Sequence, residues 1–385
     1  MQRIYCVCQI NGCGRCWVSD FSALLSQLAS DPESSEINLA MAQQYHSIGQ
    51  TAAAVTYYTR AAERAAHPEL AYACLILAAE CFDTQGHRHV TVRSLLKRAI
   101  TLLPRRPEAY WYLAKFNEHF NQHSDCYVLC ELAMTFCDQD LPPLPVDVGY
   151  PGSWIFRLER GISAWWWGRN DETRSDFQWL VDHAWHHMPK IYRDNLGANM
   201  VRIHQLPAIF QTEYQRAVET SSDINQHLPR LRDMAQQCQH VTEMGVRHGA
   251  STRAWLSTDV SLRAYDIWID PDVMRLFDLA QYIAKDVVLA QADVLQAHID
   301  PTDLLFIDTL HNCEQLRAEL ARHHAKVKKF IVMHDTHTFG HRDEIGDGPG
   351  LQPAITDFLR DNGQWHISYQ IQDNNGLTVL QRRDS

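Results

Sequence analysis

The chain lacks any run near the roughly 18 consecutive apolar residues that a membrane-crossing helix needs, so no membrane partner is expected. It lacks an excess of positive charge: the formal net charge of −11 argues against a protein that tracks nucleic-acid phosphates. Residues 1–16 have no apolar core and no cleavage pattern, so no signal peptide is expected. The eleven cysteines form no regular even framework. Free thiols in a reducing cytoplasm are the expectation. The tight group Cys6, Cys8, Cys13 and Cys16 has one knuckle-like C-x-x-C. No second such pair completes a zinc site, so residues 1–20 are read as a Cys-rich terminal segment without metal. A dinucleotide G-x-G-x-x-G turn is missing as well.

What is present is 45% hydrophobic and 21% charged, the balance of a folded globular protein, over 385 residues that suit two or three domains. From about residue 31 to 137 the apolar spacing is helical. Ala40, Tyr45, Gly49, Ala53, Tyr57 and Ala61 outline one helix-turn-helix unit. A second unit runs from Pro68 through Gly86 to Pro104, and a third from Pro107 to Ala133. Both Pro68 and Pro107 stand where a helix start tolerates a missing N–H. Stacked helix pairs resembling tetratricopeptide repeats are therefore expected over residues 21–220, with a face open to a partner protein. Leu141-Pro142-Pro143-Leu144-Pro145 breaks the pattern, and Trp165-Trp166-Trp167 reads as core rather than as a stacking platform.

Beyond residue 221 the period changes. A helix over 223–237 leads to a strand over 239–243. Short apolar runs at 262–267, 287–290, 304–307 and 330–333 alternate with helical stretches, as in a parallel α/β sheet. Residues 365–371 and 377–380, joined by Asp373-Asn374-Asn375-Gly376, read as a closing hairpin. Residues 221–385 thus form a Rossmann-like α/β domain, with ligands expected at the carboxyl ends of its strands.

The segment Val241-Thr242-Glu243-Met244-Gly245-Val246-Arg247-His248-Gly249-Ala250-Ser251-Thr252 reads as a strand ending in an acid, a glycine turn, and a helix start. Gly245 permits a tight turn and Gly249 a close approach, while Ser251 can cap the helix. Asp266, Asp293 and Asp308 follow at later strand ends. The spacing E-x-G-x-x-x-G-x-S resembles the first motif of class I S-adenosylmethionine-dependent methyltransferases. That resemblance implies a seven-stranded sheet, with S-adenosylmethionine held by Glu243, Gly245, Gly249, Ser251, Asp266 and Asp293.

"FIDTLH" and "IVMHDT" resemble segments of small-molecule O-methyltransferases of the catechol, macrolide-sugar and cephalosporin-hydroxylase-like groups. By that resemblance Asp308 and Asp335 match metal-binding acids, and His334 stands where some relatives carry another. With imidazole in the set, Mn²⁺, Fe²⁺ or Zn²⁺ suits the ligands better than Mg²⁺. Alternatively His311 or His334 serves as general base. Residues 340–350, "GHRDEIGDGPG", read as a lid. The stretches "DPESSEINLAMAQQY", "LPRRPEAYWYLAKF" and "SWIFRLERGISAWWWGRNDE" resemble the helical region that follows the catalytic domain in some bacterial family-2-type glycosyltransferases. A glycan or other small-molecule acceptor is what this resemblance implies. Two other classes stay open at this point: a scaffold with a degenerate catalytic domain, and a metal-dependent oxygenase or hydrolase.

Overall fold

The computed structural model describes residues 21–383; the cysteine group at 6–16 lies outside the described residues. Two compact units divide the chain between Ala184 and Trp185.

The first unit contains α1 (Phe21–Ser30), α2 (Ser35–Ser47), α3 (Thr51–Arg64), α4 (Pro68–Gln85), α5 (His89–Leu102), α6 (Glu108–His119), α7 (His123–Met134), α8 (Ile155–Trp166) and α9 (Asn170–Trp179). From α2 onward they pack as consecutive pairs, the stacked helix pairs expected from the sequence. Each pair turns through residues at positive φ: Gly49, Gly86 with His87, Asn121 and Gly168. Such positions favour glycine or asparagine because a Cβ crowds the following carbonyl. The core between helices uses small residues at contacts (Ala42, Ala54, Ala61, Ala78, Ala99) with Tyr58 and Tyr72 filling between them.

The proline-rich break is not a free linker. Leu144, Val146, Val148 and Tyr150 pack against this helical core. Tyr112 Oη donates to Val148 O at 2.5 Å, and Arg106 Nη1 donates to Pro142 O at 3.0 Å. The tryptophan run departs from its expected core role: Trp166 and Trp167 are 57% and 43% exposed. They sit at the end of α8, whose buried face is set by Ile155, Phe156, Leu158, Gly161 and Ala164. The run therefore falls beyond the last covered turn.

The second unit contributes α10 (Lys190–Arg202), α11 (Leu206–Glu219) and α12 (Leu228–Ala235) before its sheet begins. The helix expected over 223–237 is shorter than its pattern because Pro229 stands in the first turn of α12. Then follow β1 (His240–Met244), α13 (Ala250–Leu256), β2 (Ser261–Asp266), α14 (Pro271–Tyr282), β3 (Val287–Gln291), β4 (Thr302–Ile307), α15 (Cys313–His323), β5 (Val327–His334), α16 (Leu351–Asp361), β6 (Trp365–Ile371) and β7 (Leu377–Arg382). Sheet order is β3-β2-β1-β4-β5-β7-β6. All pairings are parallel except those of β7, which runs antiparallel to β5 and β6. This is the Rossmann-like seven-stranded sheet expected above.

All six residues of β4 are buried, as a central parallel strand covered on both faces requires. The order reverses at β1, which pairs with β2 on one side and β4 on the other. Ligands bind such sheets at this switch, beyond the strands' carboxyl ends. Among the described residues, no helix is long and apolar enough to cross a membrane.

Candidate functional site

The glycine turn is built by its neighbours on both sides. Gly245, at φ +84°, donates its N–H to Tyr265 O at 3.0 Å, while Met244 O accepts from the Asp308 N–H at 2.8 Å. A Cβ at Gly245 would stand 1.9 Å from Asp308 O, so the turn wedges against the end of β4. Asp266 closes it from the other side. Its Oδ2 accepts the N–H groups of Val246 and Arg247 at 2.7 and 2.8 Å, and its Oδ1 that of Trp268 at 3.0 Å. Gly249, at φ +71°, would bring a Cβ to 2.7 Å from Val273 Cγ2.

Glu243 faces the helix and not the open space. Its carboxylate accepts from Ser251 Oγ (2.5 Å), Thr252 Oγ1 (2.8 Å) and Trp255 Nε1 (3.1 Å), all in α13. Burial pushes its carboxyl up to about 7, against the three donors that favour the charged form. Glu243 and Ser251 therefore clasp α13 to β1 behind the turn.

A cavity of about 670 Å³ opens in front of these strand ends. Gly245, Asp266, Asp293, Asp308, His311 and Asp335 line it. Glu243, Gly249, Ser251 and His334 do not. Asp293 is exposed at the rim, where it accepts from Leu295 N–H at 2.8 Å and Gln296 Nε2 at 3.0 Å. The cavity size falls within the roughly 300–1,000 Å³ range of small-molecule sites.

At one wall the two segments "FIDTLH" and "IVMHDT" converge. His311 Nε2 lies 3.2 Å from Asp308 Oδ1 and 3.1 Å from Asp335 Oδ2. His334, only 1% exposed at its side chain, places Nδ1 3.2 Å from the same Asp308 oxygen. Its Nε2 donates to the carbonyls of Asp223 (3.1 Å) and Asn374 (3.3 Å). Burial works against a charge on His334, but Asp308 and Asp335 outweigh it and raise the imidazole to about 9. It stands under the site as an imidazolium, with both nitrogens spent. Burial also opposes charge on His311, and Asp308, Asp335 and Glu344 again prevail, shifting it upward. Burial would raise Asp308, yet hydrogen bonds from His311 and His334 hold it well below the usual carboxylate range.

Asp335 differs from its neighbours. Burial raises its carboxyl above the ordinary value, its backbone sits at φ +58°, and its buried Oδ1 makes no hydrogen bond among the described residues. A left-handed non-glycine residue carries strain that persists only where the surroundings impose it. Asp308, His311 and Asp335 each offer a ligand atom within 4.8 Å of the others, a grouping that could hold a cation. His334, matched to the metal set by resemblance, is not part of that trio.

Several residues of the wall had no distinguishing signal in the sequence. Glu344, from the loop at 340–350, bonds His311 Nδ1 through Oε2 at 3.0 Å. Phe339 stacks on the His311 ring at 5.0 Å. Behind Thr309, the fully buried Glu319 accepts from the Thr309 hydroxyl at 2.6 Å, and burial pushes its carboxyl up to about 7. Each is placed by chain closure rather than by a local motif.

No protein-family profile and no curated protein matches the chain. Solved structures do. The N-methyltransferase NodS from Bradyrhizobium japonicum WM9 in complex with S-adenosyl-l-homocysteine is 15% identical, over 45% of this chain and 97% of that one, with a TM-score of 0.33. A Burkholderia thailandensis 1,6-didemethyltoxoflavin-N1-methyltransferase with bound S-adenosylhomocysteine is 14% identical, over 46% and 87%, with a TM-score of 0.35. MamA is 17% identical, over 42% and 84%, with a TM-score of 0.34. At this level of similarity the neighbours bear on neither activity nor substrate.

Proposed function

We propose that the second unit binds S-adenosylmethionine and transfers its methyl group to a hydroxyl oxygen of a glycan or other small-molecule acceptor. One observation carries this reading. The 670 Å³ cavity lies at the sheet's switch point, with the Gly245 turn, Asp266 and Asp293 on one side and Asp308, His311 and Asp335 on the other. A cofactor-sized space thus adjoins groups suited to handling a proton.

The cofactor's sulfonium supplies an already activated methyl group, so the protein's task is to orient the acceptor and manage its proton. Gly245, Asp266 and Asp293 would hold the cofactor. Glu243, Gly249 and Ser251 keep the turn and α13 in place behind it. Asp335 is the group best placed to take the acceptor's proton: its Oδ1 accepts no hydrogen bond and lies 3.5 Å from His334 Nδ1, and burial raises its carboxyl above the ordinary value. His334 stays protonated near neutral pH and serves to hold Asp308 and Asp335 in position.

Asp308, His311 and Asp335 also fit a divalent cation through two carboxylates and one imidazole, a donor set suited to Mn²⁺, Fe²⁺ or Zn²⁺. Such an ion would polarise the acceptor hydroxyl. We assign recognition of the acceptor-bearing molecule, or of a partner protein, to the helical unit, since stacked helix pairs expose extended binding faces. Calorimetric titration of the full chain with S-adenosylmethionine tests the reading. Saturable heat is expected, and none at high protein concentration would refute it.

A further inference from the structure

The loop between β5 and α16 is tied shut at its neck. Leu351 N–H donates to Phe339 O at 2.9 Å and Gln352 N–H to Gly340 O at 2.8 Å. Neither neck glycine can carry a side chain: a Cβ would lie 2.6 Å from Thr336 O at Gly340 and 2.0 Å from Phe339 O at Gly350. Past the neck, Pro349 O accepts from Cys313 N–H at 3.1 Å. At the tip, Glu344 and His311 meet in both directions. Glu344 Oε2 accepts from the His311 backbone N–H at 3.3 Å and pairs with Nδ1 at 3.0 Å, and Glu344 N–H donates to His311 O at 3.3 Å. The ring is then sandwiched against Phe339, with planes 7° apart.

We propose that Glu344 is a positioning residue that latches this loop onto His311 and aims its Nε2 at Asp308 and Asp335. The proposal rests on the metal reading above for its consequence, though not for its geometry. An imidazole ring has two nearly equivalent flipped orientations, and only a partner at one nitrogen selects between them. Glu344 supplies that partner at Nδ1. Nε2 is thereby fixed on the cavity side, 3.1–3.2 Å from one oxygen of each aspartate. Metal-binding histidines are oriented in this way by a carboxylate on their other nitrogen, and removing that carboxylate typically weakens metal binding about 10–100-fold. Because Glu344 belongs to the loop, ordering the loop and orienting the imidazole become one event.

The test is a double-mutant cycle on the full chain, with Mn²⁺ as the probe and free Mn²⁺ read by electron paramagnetic resonance. E344A is expected to weaken Mn²⁺ binding about 10–100-fold. E344Q keeps an acceptor oxygen for Nδ1–H and should stay near wild type. In an H311A background, E344A should cost nothing further, because Glu344 acts through His311. An undiminished affinity in E344A, or an additive loss in the double variant, overturns the proposal. Hydrogen exchange of residues 341–349 gives a readout that needs no metal. E344A and H311A should each speed it, the pair no more than the larger single effect, with β4 amides unchanged as the control for folding. If wild type binds no Mn²⁺, the metal reading falls by itself and the exchange data alone decide the latch. Equal loop protection in wild type and E344A then refutes it.

Discussion

Replacing Gly245 by alanine adds a single carbon at a point where two independent costs coincide. The backbone stands at φ +84°, where an L-residue loses about 1–2 kcal/mol. The new Cβ would also stand 1.9 Å from Asp308 O and 2.5 Å from Asp308 C, both backbone atoms at the end of a fully buried strand. Relieving that overlap means displacing β4 or β1, at an overpacking cost of about 1–3 kcal/mol. The second unit should therefore lose about 2–5 kcal/mol. The Gly245 turn would leave its place in the cavity wall, so S-adenosylmethionine binding should vanish in calorimetry. Gly49→Ala is the matched control: φ is +75°, and nothing lies within 4 Å of its added Cβ, so only the backbone cost remains. Urea unfolding read by pulsed hydrogen exchange follows each unit separately. If Gly245→Ala costs its unit no more than Gly49→Ala costs the other, or leaves cofactor binding intact, the wedge between β1 and β4 is wrong.

Glu243→Ala should cost about 2–4 kcal/mol, since it strands the Ser251 and Thr252 hydroxyls and the Trp255 N–H in a buried space. Glu243→Gln keeps most of these bonds and should cost under about 1 kcal/mol; equal losses in urea titrations would contradict the clasp. The contributions of Glu243, Glu319 and His334 to the second unit's stability should fall as pH rises from about 5 to about 9, opposed by His227, His240 and His323, whose lowered values favour the fold more as pH rises. The folded carboxyls of Glu243 and Glu319 are raised to about 7, so their contribution is full below the unfolded value of 4.5 and lost through about 7. His334 is raised to about 9, so its contribution is full below 6.5 and lost through about 9, in the same direction. Glu319→Gln isolates one contribution: relative to wild type its urea midpoint should gain as pH rises through about 7, and an unchanged difference across the window would contradict the assignment. Asp335→Asn removes one charge from the trio and should abolish saturable Mn²⁺ binding while leaving the Gly245 side able to bind S-adenosylmethionine. Unchanged Mn²⁺ uptake would place the ion elsewhere.

The sheet was legible because its strands are short apolar runs separated by helical spacing, and every run recognised in the sequence became a strand. The ends were less legible. The apolar run at 330–333 marks only the middle of β5, because Lys328, Lys329 and His334 are polar residues that nonetheless belong to the strand. Candidate residues were found where they follow strand ends, and the structure brings Asp308, His311 and Asp335 together as that position requires. Their orientation was not legible. Glu243 looks in sequence like a cofactor ligand, yet its oxygens are taken by residues eight to twelve positions later, within the first two turns of α13. The tryptophan run failed as core for a related reason: periodicity tells which residues share a face, not where the neighbouring helix stops covering it.

By itself the sequence determined the stacked helix pairs, the Rossmann-like sheet, and the missing G-x-G that sets this glycine turn apart from a dinucleotide site. These follow from local periodicity and from the backbone freedom of single glycines, which act within a few residues. Only the tertiary structure decided which acids face the cavity, that His334 lies beneath the site with both nitrogens occupied, and that Glu344 reaches back to His311 from thirty-three positions away. Those outcomes depend on parallel strands aligned by crossover helices and on a loop closed at its neck. Distances between side chains that no local spacing encodes are set at that level.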